Sequence, residues 1–242
     1  MKRVSFDIVG NIAILNEKTK NKAKAAKDLL KGYKNIKTVL VRKGIHEGRH
    51  RLLKYRFLAG ERTKETTYKE NNVRLFLNIE KTYFSSRLSN ERLRISKLTK
   101  NGEKVLVMFS GVGPYPIVIS KNTKAKEIYG IEINKDAHKY AEENVKLNKT
   151  NNIKLFMGNV NKVLPKINKR FDRIIMPLPK SSTRYIRLAI KHLRKKGYLH
   201  LYIFSRKENP KRKIKGLKQI RSVRCGGYSP GKDRYCLDFQ KV

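Results

Sequence analysis

The residues most able to do chemistry in this 242-residue chain sit where apolar runs stop. The segment VLVMFSGVGPYPI, residues 105–117, passes from an apolar strand through a loop holding Gly111 and Gly113 into a helix. Glycines let the backbone approach a ligand closely, and a small ligand at the carboxyl end of this strand is implied. Nucleotide folds, flavin folds and ordinary tight turns share that pattern. Nineteen residues after Gly113, the run YGIEI closes on Glu132. Its carboxylate oxygens can accept hydrogen bonds from two ribose hydroxyls, which suits NAD and S-adenosylmethionine equally; the plain alternative is a solvent-facing strand end.

Two further strand ends follow. Met157-Gly158-Asn159 offers an amide that can meet an adenine edge, although Asn is also an ordinary turn residue. The run FDRIIMPLPKSS ends in Pro177-Leu178-Pro179, and two prolines cannot continue a central strand. The backbone must leave the sheet there, with carbonyls free to face a flat substrate. Ahead of all these lies TYFSSRLSNER, residues 82–92. Tyr83 and Phe84 are rings for stacking on a base, Arg87 and Arg92 can pair with phosphate or carboxylate, and Glu91 is the only acid between Lys81 and Glu103. On its own, the Glu91-Arg92 pair also reads as a solvated helix face.

The elements that must position these residues change character near residue 80. Residues 1–80 read as a small α+β unit: VSFDIVGNIAILN alternates, AKAAKDLLKGY is helix-like, and KTVLVRK and VRLFLNI are strand-like. The polar stretch between those last two is a functional loop or a pair of edge strands. Residues 81–242 alternate helix and strand, which predicts a parallel sheet covered on both faces, that is, an α/β Rossmann-like domain. Helices are expected at PIVISKN, KDAHKYAEENVKLN, VNKVLPKI and TRYIRLAIKHLRK, and the tail CGGYSPGKDRYCLDFQKV predicts an antiparallel hairpin.

Composition narrows the partner. Lys and Arg number 59 against 19 Asp and Glu, a net charge of +40, so a polyanion such as nucleic acid is the first candidate. A lysine-inflating coding bias or adaptation to heat is the bland alternative. No apolar run reaches the roughly 20 residues of a membrane helix, and the start MKRVSFDIVG lacks the apolar stretch of a signal peptide, so a cytoplasmic location is expected. Cys225 and Cys236, eleven apart with no second pair and no nearby His cluster in sequence, read as reduced or loosely paired thiols in the hairpin rather than a zinc site.

Taken together, YFSSRLSNER, MFSGVGPYPI, GIEINKDAHKYAEENVKLN and DRIIMPLPK closely resemble the archaeal tRNA (guanine-37-N1)-methyltransferases, and FDIVGNIAIL and GRHR...LAGERTKET...KENNVRLFLNI extend the resemblance over nearly the whole chain. It implies a class I methyltransferase fold behind a small RNA-binding domain, S-adenosylmethionine as cofactor, no metal, and tRNA as partner, with phenylalanine tRNA and its position 37 as target and a monomer as the working form. It assigns Glu91 as the base that removes the guanine N1 proton, Arg51 as stabiliser of charge on O6, and Arg92 as the residue that places Glu91 and substrate. Pro177 and Pro179 would shape the target pocket; Tyr83, Phe109, Gly111, Gly113, Glu132 and Asn159 would hold the cofactor, with Tyr83 also beside the base. The chain departs from the family pattern twice. Relatives carry a further N-terminal domain that grips the tRNA elbow, whereas the matching residues here begin almost at once. Many relatives also have Asn-Leu-Pro where Pro177-Leu178-Pro179 stands, a variant similar to the subgroup that methylates C7 of 4-demethylwyosine. Two rival readings are an RNA-binding protein that keeps the fold without catalysis and an NAD-linked dehydrogenase, the latter opposed by the missing GxGxxG.

Overall fold

The computed structural model describes residues 4–48, 52–178 and 182–242. Arg51 and Pro179 lie outside the described residues. The alternating run at the start folds as a hairpin of two short strands, β1 (Phe6–Val9) and β2 (Ile12–Leu15), because Gly10 takes a positive φ at the turn. α1 (Lys22–Gly32), capped by the Asn21 side chain, crosses over to β3 (Thr38–Glu47), which lies parallel to β2. β4 (Leu52–Gly60) completes a four-stranded sheet in the order β1-β2-β3-β4, with Ala26 and Leu29 of α1 clustered with Ala13, Leu15 and Val39 of the sheet.

The polar stretch between KTVLVRK and VRLFLNI thus contributes two strands, β4 at the edge of this sheet and β5 (Glu65–Glu70) of the next. β5 and β6 (Val73–Asn78) make a separate two-stranded sheet. This hairpin is attached to the second unit as well as to the first. Asn144 of α4 (Lys135–Leu147) accepts from Phe76 N at 2.6 Å and donates to Phe76 O at 2.9 Å. Asn148 does the same to Arg74, at 2.9 and 2.6 Å. On the other side, Thr66 Oγ1 accepts from Asn11 N and donates to Asn11 Oδ1.

A 3-10 turn (Ser86–Leu88) and α2 (Ser89–Leu98) lead into the large sheet. Its strands are β7 (Lys104–Met108), β8 (Glu127–Glu132), β9 (Ile153–Met157), β10 (Phe171–Met176), β11 (Leu193–Ser205), β12 (Leu217–Ser229) and β13 (Lys232–Lys241). α3 (Pro114–Asn122), α4, the four-residue α5 (Val160–Val163) and α6 (Ile186–His192) connect the parallel members. The order is β12-β13-β11-β10-β7-β8-β9; β7 to β11 run parallel, and β13 and β12 return antiparallel. Successive crossovers go one way from β7 to β9 and the other way to β10 and β11, so the strand order reverses beside β7. In open α/β sheets that reversal opens a crevice at the carboxyl ends of the strands.

Two expected helices are shorter than their sequence patterns. VNKVLPKI yields α5 and then a 3-10 turn at Leu164–Lys166, because Pro165 has no N–H to continue an α-helix. TRYIRLAIKHLRK opens as a 3-10 turn and leaves the helix at His192, since Leu193 already pairs with Phe171 of β10.

Candidate active site

β7 buries Val105, Leu106, Val107 and Met108 completely, so the chain emerges from the sheet at a fixed point. Phe109, the next residue, has φ 63, and Gly111 and Gly113 have φ 57 and 84. A left-handed conformation at a bulky aromatic is strained. Gly113 is the N-cap of α3, its positive φ favours glycine, and a Cβ there would press on Ile117 Cδ1 at 3.1 Å.

Glu132, at the end of β8, ties this loop down. One carboxylate oxygen accepts from Gly111 N at 2.7 Å, and the other from Ile133 N at 2.9 Å and Asn134 N at 2.8 Å. Asn134 caps α4 and donates to Lys81 O, while Asn144 donates to Val112 O at 3.0 Å. Around this framework lies a cavity of about 350 Å³. Its floor is Phe109, Ser110, Gly111, Glu132, Ile133, Gly158 and Asn159; one wall is Tyr83, Phe84, Ser85, Leu88 and Arg92; the opposite wall is Pro177, Leu178 and Tyr185; Gly48 reaches in from the β3–β4 turn. Ser110 Oγ is buried without a hydrogen-bond partner, a polar atom left over at the floor. A mostly apolar cleft with a few fixed polar groups at a switch point suits a small nucleoside-like ligand.

Most of the residues singled out from sequence meet here. Tyr83, Arg92, Phe109, Gly111, Glu132, Asn159 and Pro177 line the cavity, and Gly113 stands beneath it at the start of α3. The Phe109 ring packs edge-on against Tyr185 at 5.0 Å. Asn159 lines the wall while its side-chain oxygen accepts from Asn161 N, which caps α5.

Glu91 is not brought to the cavity. Its carboxylate is buried behind the wall, taking Arg94 Nε at 2.7 Å, Arg94 Nη2 at 2.8 Å and the Tyr202 hydroxyl at 2.6 Å. Tyr115, which does line the cavity, donates from its own hydroxyl to that of Tyr202. Burial pushes both phenols well above their ordinary range, so they stay protonated. Arg94, not Arg92, holds Glu91. Arg92 is buried and forked onto both oxygens of Glu70 on β5, donates to Ser85 O and lies over the Phe84 ring. It thereby fixes the wall against the hairpin.

The network continues behind the sheet. Arg94 also pairs with Asp238 at 2.7 Å, Asp238 accepts from His200 Nδ1 at 2.6 Å, and Arg173 bridges His200 Nε2 and Glu103. Burial holds the His200 imidazole below its ordinary value, against the pull of Asp238. Among the described residues, His200, Cys236 and Asp238 form the one group whose ligand atoms lie within 4.8 Å of one another. Both imidazole nitrogens are engaged and two guanidiniums, Arg94 and Arg173, already balance the acid, a setting that repels a cation. Cys225 and Cys236 are free, and burial raises both thiols, which makes them poor nucleophiles.

Comparison with known proteins agrees with this geometry. Residues 66–225 match the TRM5/TYW2 methyltransferase domain and residues 2–63 the TYW2 N-terminal domain. The two matches meet at residues 63–66, at the start of the β5–β6 hairpin. A Pyrococcus abyssi protein, "tRNA (guanine(37)-N(1))-methyltransferase Trm5b", is 40% identical over 85% of this chain and 62% of its own length, so the chain spans less than two thirds of that relative. The Nanoarchaeum equitans "tRNA (guanine(37)-N(1))/4-demethylwyosine(37)-methyltransferase Taw22" is 34% identical over 90% of each chain. A solved complex of aTrm5 with tRNALeu superposes with a TM-score of 0.86 at 29% identity, over 99% of this chain and 72% of that one.

Proposed function

The chain belongs to the TRM5/TYW2 methyltransferase family, and from that premise we propose that it transfers the methyl group of S-adenosylmethionine to the purine at position 37 of tRNA, at N1 of guanosine and at C7 of 4-demethylwyosine. The observation that carries the reading is the cavity itself: a glycine loop clamped by the Glu132 carboxylate at the switch point, between a wall with Tyr83 and Phe84 and one with Pro177 and Leu178. The donor set fits the cofactor. Glu132 supplies carboxylate oxygens for ribose hydroxyls, and the strained Phe109-Ser110-Gly111 turn brings backbone close to the ligand. When bound, the cofactor supplies an already activated sulfonium methyl. The apolar rings of Phe109 and Tyr185 keep water from it, and Pro177 and Leu178 set how near the target can come.

Guanine N1 becomes nucleophilic only as its proton leaves, and that proton is assigned to Glu91. For this role the carboxylate must turn from Tyr202 and Arg94 toward the cavity. Arg51, three residues after Gly48 in sequence, is assigned to the negative charge growing on O6. C7 of the tricyclic base carries its proton on carbon and takes the methyl before that proton departs, so it relies less on Glu91. Pro177 in place of an amide leaves the wall apolar, which supports acceptance of the larger base. The net charge of +40 supports tRNA as the partner. Phenylalanine tRNA is the proposed carrier, and one chain supplies every wall of the cavity, so the monomer is sufficient. The test is methyl transfer from labelled cofactor to phenylalanine tRNA carrying guanosine or 4-demethylwyosine at position 37, with nucleoside analysis. Products from both support the dual reading, a product from one limits it to that branch, and none from either refutes it.

A further inference from the structure

β11 ends at the same edge of the sheet as the cavity, and its penultimate residue, Phe204, faces the tip of the β12–β13 hairpin. That tip is bent. The register between β12 and β13 slips around Gly227, and Gly226 has φ 112, so the end of β12 is re-aimed across the sheet. The result places Tyr228 flat on Phe204, ring centres 3.8 Å apart and planes 28° apart. Lys232 Nζ and the Arg234 guanidinium lie over the same ring at 5.9 and 5.5 Å. Arg234 joins this group to the cavity, because its Nη2 donates to the hydroxyl of Tyr83 at 3.1 Å and Tyr83 lines the cavity wall. Its Nε is buried with no partner. Tyr228 keeps 37% of its surface exposed, and exposed Arg206 and Lys207 follow directly after β11.

We infer that the Phe204–Tyr228 stack, with Lys232 and Arg234, is a shelf that takes an unpaired RNA base next in sequence to the modified purine. The inference rests on the proposed tRNA reaction. A purine drawn into the cavity leaves its neighbour without a stacking partner; the part-exposed Tyr228 ring can replace that partner, while Lys232 and Arg234, held over the adjoining Phe204 ring, can neutralise nearby phosphates. A purely structural pair would be satisfied inside the sheet, whereas Tyr228 stands near the end of β12, past the bulge at Gly227, and keeps 37% of its surface exposed. The connection through Arg234 and Tyr83 places the shelf one side chain from the base pocket.

The test uses the full chain and phenylalanine tRNA with 2-aminopurine immediately 5′ or immediately 3′ of position 37. Stacking quenches the probe. Binding of the unaltered protein is expected to quench it at one of the two positions. Tyr228→Ala should abolish that quenching and raise the KM for tRNA roughly tenfold, with cofactor affinity unchanged; Tyr228→Phe should retain both. Quenching by Tyr228→Ala equal to that of the unaltered protein at both positions overturns the shelf. Because the readout is binding, it is separate from the parent reading, which fails instead if the unaltered protein transfers no methyl group to either tRNA.

Discussion

Replacing Glu132 by Gln tests the cofactor site most directly, because the substitution keeps shape and removes one acceptor. The carboxylate serves Gly111 N with one oxygen and the N–H groups of Ile133 and Asn134 with the other. A glutamine has one acceptor oxygen. In either orientation its NH2 group faces a backbone donor, and the orientation that sacrifices only Gly111 is the less costly. One acceptor for a ribose hydroxyl goes with it. A hydrogen bond to a charged group contributes about 1.5–3 kcal/mol, and about 1.4 kcal/mol is a tenfold change in Kd. Affinity for S-adenosylmethionine should therefore fall by about 10- to 100-fold. Calorimetric titration with S-adenosylmethionine and with S-adenosylhomocysteine reads the change for both ligands, and urea unfolding confirms that the variant is folded. Because the shelf and the wall are untouched, tRNA affinity measured without cofactor should stay as it was. A folded Glu132→Gln protein that binds either ligand within about twofold of the original would show that Glu132 tethers the loop and does not meet the ribose.

Three further outcomes follow from the same geometry. Glu91→Gln should slow N1 methylation by about 10²-fold or more and C7 methylation less; equal losses in single-turnover assays would confine Glu91 to the Arg94–Tyr202 network. Arg51→Ala should slow both reactions by roughly 10²-fold, and near-normal rates would remove it from the site. The buried His200 imidazole refuses a proton that the unfolded chain accepts, so stability should be full above a pH of about 6.5 and fall as pH drops below it, by at most about 1.4 kcal/mol per unit. Against burial, which alone would raise it, the hydrogen bonds from His200 and Arg94 hold the Asp238 carboxyl well below the usual range, so its contribution is kept until pH falls below about 4. Urea unfolding at pH 7.5 and 5.5 should show the first loss in the original and not in His200→Asn; identical slopes would refute the assignment.

What the sequence discloses is what neighbours along the chain decide. The apolar strand before Gly111, the Glu132 that closes the next strand and the prolines after β10 are each positioned by their own element, and they meet because parallel strands all end at one edge. The residues that hold Glu91 could not be found that way. Arg94 stands three residues on along α2, but Tyr202 of β11 and Asp238 of β13, which holds Arg94 in turn, join it only after the sheet order is known. Glu70 looked like one acid in a polar stretch, and its pairing with Arg92 depends on where the hairpin docks. The distance in sequence between Cys236 and any histidine likewise concealed that His200 stands on the paired strand. The phase of Glu91 on its helix was the misleading cue: Leu88 and Arg92, four apart, face the cavity together, and a residue one position away faces elsewhere.

The two asparagines that grip β6 work like a vernier. Four residues of helix advance ~6.0 Å, while two residues of strand advance ~6.6 Å, so Asn144 and Asn148 can match Phe76 and Arg74, each at both backbone atoms, within the tolerance of a hydrogen bond. A third rung would accumulate a slip of ~1 Å and miss the narrow window of good geometry. The next residue of that helical stripe is not an amide but Tyr140, whose longer reach passes the strand edge and binds Glu65 on β5. The helix therefore satisfies the open edge of the hairpin for two rungs and then stops. Backbone groups so occupied at Arg74 and Phe76 are withheld from any strand that another chain might add along this edge of β6.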